Sequence, residues 1–240
     1  MPTWVLYNSK WDWQAFLNGA FTNLAAHPRC ALIIDLRDNE GGDTTPGAAL
    51  MQHLIKKDLP ANGILRYTRF RRVPKDLVPH LDTWDRSFFD WGTNAIAPAY
   101  QPVGNAVFYR LTRWDDDANG GISHPLAPTF TGKVVILMDC QNSSATFQFE
   151  ELAQEHHLAT LIGRPSGGNR RGINGSAFFF LNLPHSKIEI DIPLVATLPA
   201  RPQPDAGIQP DKTIALTPQG IVTGKDEVLA AALRYLRVEK

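Results

Sequence analysis

The sequence predicts an α/β fold with a mixed, largely parallel sheet and crossover helices. Short runs rich in β-branched residues at 31–36, 134–138 and 159–163 read as buried strands. The first two are followed by helical periodicity, at 47–55 and 147–153, and this alternation is what parallel strands with crossover helices produce. The chain has 240 residues and is 43% hydrophobic, which suits a globular domain with a well-filled core.

Each element follows from its own pattern. Residues 3–7 predict a first strand. Trp13, Phe16, Leu17, Ala20, Phe21 and Leu24 then recur at helical spacing after Ser9 or Asp12, giving an amphipathic helix to about His27. After the strand at 31–36, a glycine-bearing turn leads into the helix at 47–55. Between 57 and 126 the character changes: residues 66–72 are basic and aromatic, 84–91 are aromatic-rich, and 115–121 (Asp-Asp-Asp-Ala-Asn-Gly-Gly) are loop chemistry. This stretch reads as a lid-like insertion in a single domain covering 1–240, because alone it is too short and interrupted to bury a core. Its aromatics either pack the lid or grip an extended peptide, and packing is the simpler reading. Further on, 176–181 and 187–193 predict two strands joined at Pro184-His185-Ser186. Ile188, Ile190 and Ile192 alternate there with Glu189 and Asp191, so one face is wet. A proline-rich loop at 199–210 leads to a strand near 213–216. Residues 226–236 close the chain as an amphipathic helix, with Val228, Leu229, Ala232, Leu233 and Leu236 on one face.

Charge and motifs exclude several classes. Lys+Arg and Asp+Glu are both 24, so net charge gives no reason to expect nucleic acid or an anionic membrane as partner. No apolar run approaches the roughly 18 residues of a membrane span. The N-terminus lacks the charged-then-apolar pattern of a secretory signal, so the cytoplasm is expected if Met1 is the natural start. Cys30 precedes one strand and Cys140 follows another. On parallel neighbours of six residues they would lie about 20 Å apart, beyond disulfide reach. No His/Cys/Asp/Glu grouping has zinc spacing, and no glycine loop ends in the lysine-serine of a phosphate site, so neither metal nor cofactor is expected. His156 and His157 fall at a helix end, where a cation suits the dipole. His53 and His80 read as ordinary helix or lid residues, and His185 lies in a hairpin.

The chemistry concentrates where the strand at 134–138 turns into a helix through Cys140-Gln141-Asn142-Ser143-Ser144-Ala145-Thr146. A serine at such a corner has its hydroxyl at the sheet edge, beside the free N–H groups of a helix start that can stabilise an oxyanion. The same position also suits an ordinary N-cap serine. Gly41-Gly42 likewise fits either a tight strand-to-helix turn or a close backbone approach to a substrate.

Four motifs stand in order along the chain: Ile33-Ile34-Asp35-Leu36-Arg37-Asp38-Asn39-Glu40-Gly41-Gly42, Ser144-Ala145, Gly163-Arg164-Pro165-Ser166-Gly167-Gly168, and Gly207-Ile208-Gln209-Pro210-Asp211. Together they resemble the core domain of the C-terminal processing (tail-specific) and tricorn-type serine peptidases, over nearly the whole chain except about 57–126. The resemblance implies a crotonase/Clp-protease-like fold, a peptide or protein substrate, and Ser144 as nucleophile. It also implies an oxyanion hole from the N–H of Gly41 or Gly42 and that of Ala145. The Ser–Lys branch places its lysine after the third motif, where this chain has Asn169, flanked by Gly168 and Arg170. An amide cannot accept the proton and an arginine stays charged. The tricorn-like branch uses an upstream histidine and a glutamate before the fourth motif. This chain has no histidine before His27, and Asp205 stands in for the acidic partner. The rival readings are a family member that binds peptides without cleaving them, a catalytic-domain fragment lacking its upstream base, and an acyl-CoA hydratase or hydrolase on the same fold. The serine corner argues against the last.

Overall fold

A computed structural model describes residues 3–6, 10–27, 31–60, 64–97, 104–114 and 123–238. In chain order the elements are α1 (Trp13–Ala26), β1 (Ala31–Asp35), α2 (Thr45–Leu54), β2 (Ile64–Thr68), β3 (Leu81–Asp82), β4 (Ala95–Ile96) and β5 (Tyr109–Leu111). They continue with β6 (Lys133–Met138), α3 (Ser144–Glu155), β7 (Thr160–Gly163), β8 (Ile173–Asn182), β9 (Glu189–Pro199), β10 (Lys212–Thr213), α4 (Pro218–Thr223) and α5 (Glu227–Val238). The expected Cys30 and the loop at 115–121 lie outside the described residues.

The chain divides into two compact units. One comprises Met1–Pro60, Ile122–Arg170 and Asp205–Lys240. Its sheet has the order β1-β6-β7-β10 and is parallel throughout. The two central strands are short and apolar because both faces are covered. Val135, Ile136, Leu137, Leu161 and Ile162 are all inaccessible to solvent. On one face Val135, Leu137 and Ile162 pack against Val228 and Ala232 of α5. That contact accounts for the amphipathic pattern read at 226–236, and each such side chain contributes roughly 1.5–3 kcal/mol by leaving water.

The helix starts are chemically defined. Asp12 accepts from the Ala15 N–H at 2.9 Å to begin α1, Pro46 sits in the first turn of α2, and Thr217 Oγ1 accepts from the Gly220 N–H at 3.0 Å to begin α4. Gly224 ends α4 in the left-handed conformation. Two sequence expectations are corrected here. Of the strand at 3–7, only Trp4 pairs, as an isolated parallel bridge to Gly42, and Tyr7 is outside the described residues. The strand near 213–216 shortens to β10, because the chain turns away after the Ile214 N–H bonds the Gly163 carbonyl and Leu216 is exposed.

The second unit comprises Ala61–Gly121 and Arg171–Pro204. Its sheet has the order β3-β8-β9-β2-β5-β4 and is antiparallel. The aromatic segment read in isolation as interrupted has its pairing partners far along the chain: β2 pairs with β9 and β3 with β8. Val73, Phe88, Trp91 and Leu111 from the first segment bury with Ala177, Phe179, Leu194 and Val195 from the second. Most of the aromatics thus serve packing, while Trp84 is 60% exposed against Phe178 and Phe180.

Candidate active site

All the geometry that follows lies in the first unit. β1 and β6 are parallel neighbours, with Asp35 opposite Leu137, so both chains leave the sheet at the same edge. The chain after β1 turns through 36–43 into α2, and the chain after β6 turns through 139–143 into α3. This topology sets the glycine turn beside the serine corner.

Ser144 is the first residue of α3 and has φ +50°. A non-glycine residue in the left-handed region is uncommon, and at a strand-to-helix corner it is the conformation that thrusts a side chain out of the turn. Ser143 occupies the N-cap position with an extended backbone, yet its side chain makes no capping bond. Its hydroxyl instead donates to the Glu40 carbonyl at 2.8 Å, across to the glycine turn. The simple cap reading therefore fails for Ser143.

The glycine turn reaches the same point. A Cβ on Gly41 would lie 2.7 Å from the Ser143 carbonyl oxygen, 2.8 Å from Ser144 Cβ and 2.9 Å from the Ala145 nitrogen. Gly41 also has φ +97°. Glycine is required there on both counts. Gly42, at φ +131°, abuts the backbone of Trp4. The Asp43 N–H donates to the Trp4 carbonyl and the Trp4 N–H to the Gly41 carbonyl. The Gly41 N–H is occupied: it donates to Asn39 Oδ1 at 3.0 Å. The N–H groups of Gly42 and Ala145 have no acceptor among the described residues. Of the two glycines, then, Gly42 rather than Gly41 has its amide available.

The third and fourth motifs close on the same corner. Gly167 and Gly168 donate to the Asn142 carbonyl at 2.9 and 3.2 Å. A Cβ on Gly168 would strike the ring of Phe147, one turn into α3. Ser166 Oγ accepts from the Ile208 N–H at 2.8 Å, and Asp211 accepts from the Leu161 N–H at 2.7 Å. Asp211 thus anchors β7. Arg170 pairs with Glu151 at 3.2 Å. Asn169 Nδ2 donates to Asp205 Oδ1 at 2.8 Å. Asp205 is therefore drawn to Asn169, and neither residue bonds the Ser144 hydroxyl.

Among the described residues, Ser144 Oγ has no hydrogen-bond partner. The histidines lie elsewhere. His53 is buried, stacked on Phe21 at 4.1 Å, with its Nδ1 at 2.9 Å from the Pro128 carbonyl. His156 caps the C-terminal end of α3, and His124 meets Asp58. Among the described residues no three His, Cys, Asp or Glu side chains are grouped to hold a metal. No described helix is long and apolar enough to cross a membrane.

Two buried polar residues escaped the sequence reading. Asn142 is fully buried behind the corner, and Glu150 is fully buried within α3. Among the described residues, neither carboxylate oxygen of Glu150 has a partner, and neither has the hydroxyl of Thr146 one turn earlier. Burial, with the nearby charge of Asp139, pushes the Glu150 carboxyl well above its ordinary range.

A parallel sheet with strand-to-helix turns meeting at one edge places the unit in the α/β class. Within it the assignment is specific: residues 5–214 match the sequence profile of peptidase family S41, and the chain belongs to that family. Among solved structures, it matches mature CPAF complexed with lactacystin at a TM-score of 0.61 and 14% identity, covering 100% of this chain and 51% of that one. It also matches a putative peptidase from Parabacteroides merdae ATCC 43184 at a TM-score of 0.53 and 19% identity, covering 98% and 59% respectively. The chain thus spans between half and three-fifths of the length of these relatives. These likenesses establish the Clp-protease-like fold. Among curated proteins, none matches the sequence.

Proposed function

We propose that this chain carries the serine-peptidase centre of an S41 enzyme of the tail-specific or tricorn type, with Ser144 as nucleophile. The observation that carries the reading is the meeting of Ser144, strained at φ +50°, with Gly41, whose hypothetical Cβ would lie 2.8 Å from its own. In the proposed reaction Ser144 Oγ bonds to the scissile carbonyl carbon and gives up its proton to a base. The N–H groups of Gly42 and Ala145 receive the developing oxyanion. Collapse breaks the C–N bond and releases the amine, which takes a proton. Water then hydrolyses the acyl ester and regenerates the hydroxyl. The substrate class is a peptide or protein chain, aligned by main-chain pairing.

The base is not supplied by Asn169, whose amide donates to Asp205, and no other described side chain reaches the hydroxyl. That same contact favours a second reading, a peptide-binding member with little or no turnover. The two are separated by a fluorophosphonate probe with intact-mass detection. The peptidase reading expects slow, stoichiometric phosphonylation that Ser144→Ala abolishes. Peptide binding with no labelling after prolonged exposure would replace it by the binding reading. Labelling that persists in Ser144→Ala would remove Ser144 from the centre.

A further inference from the structure

We propose that Asn142 is a positioning residue of this centre: its carboxamide latches the glycine turn to the serine corner and so fixes where the Gly42 amide points. The proposal rests on the reading of Ser144 as nucleophile, but its geometry is independent of catalysis. Asn142 is fully buried and its side chain is fully engaged. Its Nδ2 donates to the Leu36 carbonyl at 2.5 Å and to the Asn39 carbonyl at 3.1 Å, while its Oδ1 accepts from the Asp139 N–H at 2.6 Å. Its main-chain carbonyl accepts from Gly167 and Gly168. One residue therefore ties together the turn after β1, the turn after β6 and the turn after β7.

The chain of contacts continues to the candidate oxyanion site. Asn39, also fully buried, accepts the Gly41 N–H on its Oδ1, and Gly41 packs against Ser144 and Ala145. Two donors and one acceptor in a plane are a carboxamide's chemistry. An ionised Asp at 142 would turn an oxygen on two carbonyls, Ser would offer a single donor, and Ala none. Ser143 adds a second tie through its hydroxyl to the Glu40 carbonyl. The latch acts through Gly42, so its loss is expected in turnover rather than in substrate binding, since an oxyanion contact exists only in the transition state.

The test uses the full chain, with Asn142→Ala and Asn142→Asp compared with wild type at each pH so that titration of Asp38, Glu40, Asp139 and Glu150 is common to both. The first readout is amide hydrogen exchange. Asn142→Ala should accelerate exchange in 36–43 by tenfold or more while α5 and the second unit stay as in wild type. Asn142→Asp should behave like Asn142→Ala at pH 8. It should return toward wild type at pH 5.5, because burial and two facing carbonyls retain the proton and a carboxylic acid can donate again. The second readout is peptide hydrolysis, where kcat should fall about 10²-fold, the scale of one lost oxyanion donor, with KM unchanged. Unchanged turn exchange in a folded Asn142→Ala, acceleration equal in α5, or no recovery of Asn142→Asp at acid pH would each overturn the latch. If Asn142→Ala does not fold, Asn142→Asp across pH and Asn39→Ala decide the same point. Wild type inert to the fluorophosphonate, with the exchange pattern as expected, would leave the latch standing and sink only the peptidase reading.

Discussion

Gly41 is the position at which one methyl group should cost the most at this site. An alanine there faces a φ of +97° and three atoms closer than 3 Å, two of them backbone. Strain of this kind costs about 1–3 kcal/mol, and relief requires the turn to move off Ser144 and Ala145. Gly41→Ala should therefore lower the urea midpoint and abolish phosphonate labelling together, whereas Gly19→Ala, with open space around it, should do neither. The placement of Gly41-Gly42 and Ser144-Ala145 at two strand-to-helix turns was legible in the sequence, while the roles proposed for them came from the family resemblance. What the sequence left open was which glycine amide is available, and that is decided by the Asn39 side chain. The failed match at Asn169 supplies a further test. If the turn follows the Ser–Lys branch, Asn169→Lys approaches Ser144 and adds a base. General-base help is worth about 10²–10⁴-fold, and a poorly buried amine delivers the low end. Peptide hydrolysis should rise with pH and level off above the amine's pKa, and Ser144→Ala in the same background should remove the gain. Equal rates in wild type and both variants would place residue 169 away from the serine.

At the scale of the helix, α3 carries a proton-linked weakness. Glu150 lies one turn beyond Thr146 and is fully buried, with neither oxygen partnered among the described residues. Its carboxyl holds its proton well above the ordinary value of 4.5, first because of burial and then because of the Asp139 charge. Above pH 4.5 the unfolded chain releases this proton while the folded chain keeps it, so folding binds a proton and stability declines as pH rises. The decline continues until the folded-state carboxyl itself ionises. Its slope is at most about 1.4 kcal/mol per pH unit. Glu150→Gln removes the titration with little change of shape. Its stability advantage over wild type should widen as pH rises above 4.5 in urea denaturation and be constant below pH 4. Parallel curves above pH 4.5 would show that the Glu150 carboxyl is not raised in the fold. The sequence marked 147–153 as helical but not this acid as buried, since Glu150 and Glu151 stand side by side and nothing local tells which of the two faces inward. Asn142 was hidden for a related reason: its three partners come from two segments about a hundred residues apart, which no local pattern records.

At the scale of the whole chain, the parallel unit was legible because β1, β6 and β7 are local apolar runs, and β1 and β6 each lead into a local helix. Of the antiparallel unit, the two long strands were legible at 176–181 and 187–193, and the rest was not. Its strands β3 and β4 have two residues each, and β3 and β2 find their partners in β8 and β9, which lie beyond β6, α3 and β7 in sequence. Residues 61–121 alone would leave β2 without β9, β3 without β8, and Val73, Phe88, Trp91 and Leu111 without half of their cluster. The short strands β2, β5 and β4 that stay paired have lost half of their buried cluster, and so small a sheet is marginal in water without a covered apolar face. The peptide 61–121 should therefore show no cooperative thermal transition and no protected amides. Joining it through a flexible linker to 171–204 should restore both, because the linked chain regains all six strands and the buried aromatic cluster. The summed emission of Trp84, Trp91 and Trp114 should shift to shorter wavelength in the second peptide, as Trp91 becomes buried. A cooperative transition in 61–121 by itself would show that the segment contains its own core and that β8 and β9 are additions to it.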